Sequence, residues 1–104
     1  MNKIPKPFTD FVKSHPEIAE AYENLSEKCQ ESGPLDQRER LLVKLGIAIG
    51  SGVEGSVRSQ VRKALDAGMP RDEIRHTFLL SLVTIGFPKM MVAWTSVTDI
   101  LGED

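Results

Sequence analysis

Apolar positions recur along this chain at helical spacing, in blocks that prolines and glycines cut apart. Pro16, Gly33 with Pro34, the glycines between 50 and 55, Gly68 with Pro70, and Gly86 with Pro88 mark the boundaries. They predict helices near residues 5–13, 16–31, 36–50, 54–67, 71–85 and 88–101. No segment reads better as a strand, so the predicted fold class is all-α, a domain of five to six helices.

The second block places Ile18, Ala21, Tyr22, Leu25 and Cys29 on one apolar stripe, which predicts that Cys29 faces a core. In the third, Asp36 and Glu39 have the spacing of a reciprocal capping box. Its polar residues Gln37, Arg40 and Lys44 lie three or four apart, and nearly everything else from Leu41 to Ile49 is apolar. That helix is expected at the centre of the fold, with a narrow stripe toward solvent. The fourth block separates Val57, Val61, Ala64 and Leu65 from Arg58, Arg62, Lys63 and Asp66, as a surface helix does. Gly68 is expected to end it in the left-handed conformation, and Pro70 to open the next helix. There Ile74, Phe78, Ser81, Leu82 and Ile85 form an inner stripe, but Leu79, Leu80 and Val83 widen it beyond one core face. This surplus calls for a further cover. Met90, Ala93, Trp94, Val97, Ile100 and Leu101 repeat the pattern in the last block.

A length of 104 residues with 40% hydrophobic content fits a single domain over residues 1–104. The 13 basic and 15 acidic residues leave a formal charge of −2, which gives no long-range field for nucleic acid or anionic lipid. Arg58, Arg62, Lys63, Arg71 and Arg75 concentrate positive charge, yet Asp66, Asp72 and Glu73 interrupt it and no aromatic side chains interleave. A solvated face is expected there. One cysteine, Cys29, with two separated histidines, His15 and His76, offers neither an intrachain disulfide nor a metal cluster, so no metal and no cofactor is expected. His15 reads as a turn residue and His76 as a surface histidine near Glu73. The sequence "MNKIPKPFTDFVKSHPE" lacks a signal-peptide core, and the 12 nearly uncharged residues from Thr77 to Pro88 fall short of a membrane span. The expected location is cytoplasmic, with no membrane partner.

Gly50, Gly52 and Gly55 spell G-x-G-x-x-G. A dinucleotide fingerprint needs a strand before it and an acidic residue closing a second strand, and only the following helix is present. The glycines are expected instead to join two helices sharply and to let neighbouring backbone pack closely.

The run "LDQRERLLVKLGIAIGSGVEGSVRSQVRKALDAGMPRDEIRHTFLLSLVTIGFPKMMVAW" resembles the carboxymuconolactone decarboxylase and alkylhydroperoxidase D (AhpD)-like superfamily. Its landmarks are "LDQRER" at the central helix, the glycine junction, "VRKALDAGMPRDEI" and "GFPKMMVAW". The resemblance implies an AhpD-like family core over residues 35–101, with residues 1–32 as an N-terminal helical extension. It also implies assembly with itself as a homotrimer or homohexamer, which would cover the surplus apolar face of residues 74–85.

The peroxidase branch carries C-x-x-C-x-x-x-H with a glutamate 12 positions before the first cysteine. A thiolate attacks the peroxide, an acid–base relay moves protons, and a second thiol resolves the sulfenic acid. The matching positions here are Leu41, Val53, Ser56 and Gln60. None of the four side chains titrates near neutral pH, and Ser56 lacks a base to activate it. The decarboxylase branch is similar to this chain in lacking cysteines, but it keeps a histidine where Gln60 stands. Arg40, in "LDQRER", reads as support for the fold or for subunit contacts. No catalytic residue is therefore expected. The predicted function is that of a diverged family protein, oligomeric, binding a small organic ligand or serving as a scaffold, with Leu41, Val53, Ser56 and Gln60 lining a former active-site pocket. The alternative is an enzyme of the decarboxylase type acting on a small organic acid or lactone, or a peroxiredoxin-like oxidoreductase.

Overall fold

A computed structural model describes residues 4–102, and all regular structure among them is helical. The helices are α1 (Lys6–Ser14), α2 (Pro16–Glu31), α3 (Gln37–Ser51), α4 (Glu54–Asp66), α5 (Arg71–Ile85), α6 (Phe87–Thr95) and α7 (Thr98–Leu101). No helix among the described residues is long and apolar enough to cross a membrane. The chain divides into two compact units at the Leu35/Asp36 boundary.

In the first unit, α1 and α2 pack on one another across His15. His15 leaves the helical region (φ −136°, ψ 63°) because Pro16 crowds the residue before it. Pro16 then occupies the first turn of α2, where an N–H is not needed. The His15 ring stacks on Phe11 at 5.0 Å. Neither helix contains a buried residue. The α2 stripe has the predicted spacing but lies open: Ile18, Tyr22 and Leu25 are 56%, 70% and 59% exposed. Cys29 is exposed with them, which corrects the expectation of a core-facing thiol. Periodicity fixes which residues share a face, and it does not say whether anything covers that face.

The second unit holds the core. Its central helix, α3, packs against α4, α5 and α6. The capping box forms as expected: Glu39 N donates to Asp36 Oδ1 at 2.8 Å, and Asp36 N donates to Glu39 Oε1 at 2.9 Å. Leu45 and Ile49 on α3, Val57 and Val61 on α4, Ile74 and Phe78 on α5, and Val97 at the entry to α7 are fully buried. Phe78 meets Trp94 edge to face, with ring centroids 5.5 Å apart. The expected solvent stripe of α3 is corrected in part. Arg40 and Lys44 are half-buried, whereas Val43 and Ile47 on the same helix are exposed, Ile47 by 67%.

Gly68 ends α4 with φ 87°, Gly68 N donating to Leu65 O and Met69 N to Ala64 O. That double bond is a Schellman motif, and it delivers Met69 into the core beside Ala64. Pro70 precedes the first residue of α5. The single helix expected over 88–101 is two helices, α6 and α7. At the break the Ser96 carbonyl accepts from Arg58 Nη1 at 2.7 Å, and Ser96 Oγ donates to Ala93 O at 2.7 Å. The next turn restarts from the Val97 carbonyl, which accepts from both Ile100 N and Leu101 N.

Candidate functional site

The junction between α3 and α4 carries three of the four positions singled out from the sequence. Gly52 ends α3 in the left-handed region (φ 75°), which a side chain adopts only with strain. Ser51 Oγ donates to Ala48 O at 2.7 Å and accepts from Val53 N at 3.1 Å, which fixes the entry to α4. Gly50 and Gly55 are different, because a Cβ at either would meet nothing within 4 Å. The close backbone packing expected at these two glycines is therefore absent.

Val53 is the N-cap of α4 and has no side chain able to cap it. Ser56 stands at the third helical position and not at the N-cap, its N–H bonded to Val53 O. The i, i+3, i+7 spacing puts Val53, Ser56 and Gln60 on one face of α4. Val53 and Ser56 are exposed, and Gln60 is half-buried. Gln60 Oε1 is fully buried without a hydrogen-bond partner, an unusual condition for an amide acceptor. Leu41, near the start of α3, is half-buried and packs against the core.

Lys89, on α6, is a component that sequence reasoning missed. A Cβ built on Gly52 would lie 3.4 Å from both its Cε and its Nζ. An ammonium group thus stands over the last turn of α3, where the helix dipole favours positive charge. Residues 37 positions apart in the chain meet there through the packing of α3 on α6.

The basic concentration is not a merely solvated face. Arg58 donates from Nη1 to Asp99 Oδ1 at 2.8 Å and from Nη2 to Asp99 Oδ2 at 3.0 Å, a two-pronged bridge from α4 to α7. The hydrogen bond from Arg58 holds the Asp99 carboxyl below the usual carboxylate range, and the same bond raises the Arg58 guanidinium. Arg71 Nε donates to Leu101 O at 2.8 Å, and Arg75 Nη2 donates to the same carbonyl at 3.2 Å. These arginines tie down the end of the described chain. Beside them lies an open cavity of about 350 Å³ lined by Arg75, Trp94, Thr98, Leu101 and Gly102. His76 is exposed, and its neighbour Glu73 pairs instead with Arg38. Among the described residues no group of three or more His, Cys, Asp or Glu is placed to hold a metal ion.

A family model described as the carboxymuconolactone decarboxylase family matches residues 16–99. The chain belongs to that family. The carboxymuconolactone decarboxylase match runs from the first residue of α2 to Asp99 on α7, so it includes the α3–α4 junction, Lys89 and both partners of the Arg58–Asp99 bridge. Over 101 residues the chain is 26% identical to MJ1511 of Methanocaldococcus jannaschii, described as an uncharacterized protein, covering 96% of this chain and 94% of that one. No solved structure matches the chain.

Proposed function

We propose that this carboxymuconolactone decarboxylase family protein has lost thiol peroxidase chemistry and works as an oligomeric small-molecule-binding or scaffold protein. The observation that carries this reading is the identity of the side chains at the α3–α4 junction and at Leu41 near the start of α3. The side chains of Val53 and Leu41 hold no lone pair, Ser56 has no base, and Gln60 exchanges no proton near neutral pH. The one thiol in the chain, Cys29, belongs to α2. Cys29 lies on a stripe with Ile18, Tyr22 and Leu25, and the chain has no second thiol to resolve a sulfenic acid formed there.

Self-association is supported by what the second unit leaves open. Leu79, Leu80 and Val83 on α5 are exposed, Val83 by 82%, together with Phe87 and Val92 on α6 and Val43 and Ile47 on α3. Gly46 and Gly50 lie on the Val43–Ile47 side of α3 with open space above them. A second helix can approach closely over such glycines. Apolar surface of this extent on a monomer marks an interaction site. A homotrimer or homohexamer would bury it.

A second reading, an enzyme acting on a small organic acid, would need the α4 face to open, because Gln60 Oε1 is unpaired but presents no surface that a ligand could reach. Alkyl hydroperoxide reduction with a dithiol donor tests the first reading directly. No turnover is expected from the wild type. Turnover that Cys29→Ser abolishes would refute it. Native mass spectrometry of protein isolated from its host tests the binding role, and an unliganded monomer would refute both the scaffold and the pocket.

A further inference from the structure

We infer that the cavity between α5, α6 and α7 is a binding site for a small aromatic carboxylate, its carboxylate held by Arg75 and its ring set against Trp94. The inference deepens the small-molecule-binding reading proposed above, on which it rests, and places the ligand away from the α3–α4 junction.

The charge at the cavity comes from one face of α5. Arg71 and Arg75, four positions apart, both donate to the Leu101 carbonyl, Arg71 from Nε at 2.8 Å and Arg75 from Nη2 at 3.2 Å. Two guanidinium groups thus converge on one neutral oxygen, and an anion beside them relieves the repulsion of like charges at that spacing. Carboxylates of the same two helices are engaged elsewhere: Glu73 with Arg38, and Asp99, through both oxygens, with Arg58. The two arginines hold the end of α7 unequally. Arg71 makes the short bond, whereas Arg75 reaches Leu101 O at 3.2 Å and Gly102 O at 3.4 Å, at and beyond the usual range for N–H···O. A carboxylate accepts from a guanidinium in parallel pairs at about 2.7–2.9 Å, with about twice the strength of a neutral acceptor. It displaces the long Arg75 bonds, and Arg71 keeps α7 anchored.

The remaining lining selects the body of the ligand. Trp94 is half-buried and set edge to face against the fully buried Phe78, so the indole is a rigid wall. Leu101 adds apolar lining, and Gly102 contributes no side chain. Thr98 Oγ1 donates to Thr95 O over a long 3.3 Å and can turn its hydroxyl to a ligand oxygen instead. The volume of about 350 Å³ lies at the lower end of the range for small-molecule pockets, about 300–1,000 Å³. A bare oxyanion leaves most of that space empty, whereas a single-ring acid occupies it. An aromatic ring also gains a specific pairing with the indole that an alkyl chain does not.

Trp94 is the one tryptophan of the chain, so its indole N–H gives a single nuclear magnetic resonance signal that reports on the cavity. Benzoate is the probe, titrated into the full-length wild type at constant ionic strength. A saturable shift of that signal is expected, with a dissociation constant on the order of 1 mM for so small a ligand. Benzamide keeps the ring without the charge, and inorganic phosphate keeps the charge without the ring; each is expected to bind at least about tenfold more weakly. Arg75→Gln is expected to weaken benzoate at least about tenfold and to leave benzamide unchanged. The comparison of benzoate with benzamide needs no variant and decides the matter if Arg75→Gln does not fold. No saturable shift with benzoate, equal affinity for benzamide or phosphate, or undiminished benzoate binding in Arg75→Gln would overturn the site. Benzoate-dependent shifts centred on Ser56 and Gln60, with Trp94 unmoved, would overturn it and leave the binding reading standing. A protein that binds none of these probes and leaves its host as an unliganded monomer would refute both.

Discussion

Replacing Gln60 by methionine should stabilise the protein, against the usual direction of substitutions near a core. Gln60 Oε1 is buried and accepts no hydrogen bond, so the folded state carries the desolvation of an amide oxygen without compensation. A fully orphaned buried polar group costs about 1–3 kcal/mol. The Gln60 side chain as a whole is half-buried, which places the recoverable part at the low end, about 1 kcal/mol. Methionine matches glutamine in length and helix propensity, so neither a cavity nor a weaker α4 offsets the gain. For a domain of this size, about 1 kcal/mol raises Tm by about 4–8 °C. The assay is paired thermal and urea unfolding followed by far-UV circular dichroism, both proteins at one concentration because assembly makes Tm concentration-dependent. A loss of about 1 kcal/mol or more in Gln60→Met would refute the reasoning, since it would mean that Oε1 has a donor in solution.

Two further outcomes follow from the junction and from the bridge between α4 and α7. Gly52→Ala should cost about 1–2 kcal/mol because its φ of 75° is left-handed, whereas Gly55→Ala, in α4 with open space around it, should gain about 0.5–1 kcal/mol; urea midpoints distinguish the two. Asp99 has its pKa lowered by the Arg58 hydrogen bond, so its contribution is present above the ordinary carboxylate range and is lost as pH falls through the lowered value. Asp99→Asn should therefore be less stable than the wild type at neutral pH, with the difference closing in acid; a difference that persists in acid would contradict the assignment.

Features set by neighbouring residues were legible in the sequence. The Asp36–Glu39 box and the left-handed Gly68 each need only a few consecutive residues, and both form. Apolar spacing likewise located Ile74, Phe78, Met90, Ala93 and Val97 in the core. The break at Ser96 was not legible, because the partner of its carbonyl, Arg58, stands 38 positions earlier in the chain. Cys29 and Ile85, the latter 37% exposed, show a different limit. Both lie on stripes that period alone assigns correctly to one face, and both are exposed because exposure depends on what packs there. At the candidate site the sequence supplied the identities of Leu41, Val53, Ser56 and Gln60. The orphaned Gln60 oxygen and the approach of Lys89 to Gly52 are products of packing between helices, and no local pattern announces them.

A thiol placed at the junction would meet the N-terminus of α4, and its titration can be measured. Val53 is the N-cap of α4 and is 54% exposed, so a side chain there faces the uncapped N–H groups and the positive end of the helix. Glu54 next to it opposes a negative charge, and Lys89 over Gly52 favours one. With these two in approximate balance, the helix end remains, worth about 0.3–1 kcal/mol or about half a pKa unit. In a Cys29→Ser background, Val53→Cys should therefore titrate about half a unit below the value of about 8.5 for a free cysteine, as read from the pH dependence of its alkylation by iodoacetamide. One equivalent of hydroperoxide should convert that thiolate to sulfenate, passing the other oxygen on as alcohol. With more hydroperoxide and a dithiol donor supplied to carry electrons for further cycles, the reaction should still stop there, because Ser56 provides no thiol to displace water from the sulfenic acid and Gln60 no proton relay. A single stoichiometric burst without turnover is the expected result. A thiol pKa above that of free cysteine would show that Glu54 outweighs Lys89 and the helix end, and sustained turnover would show that proton transfer at this junction does not need the groups it lacks.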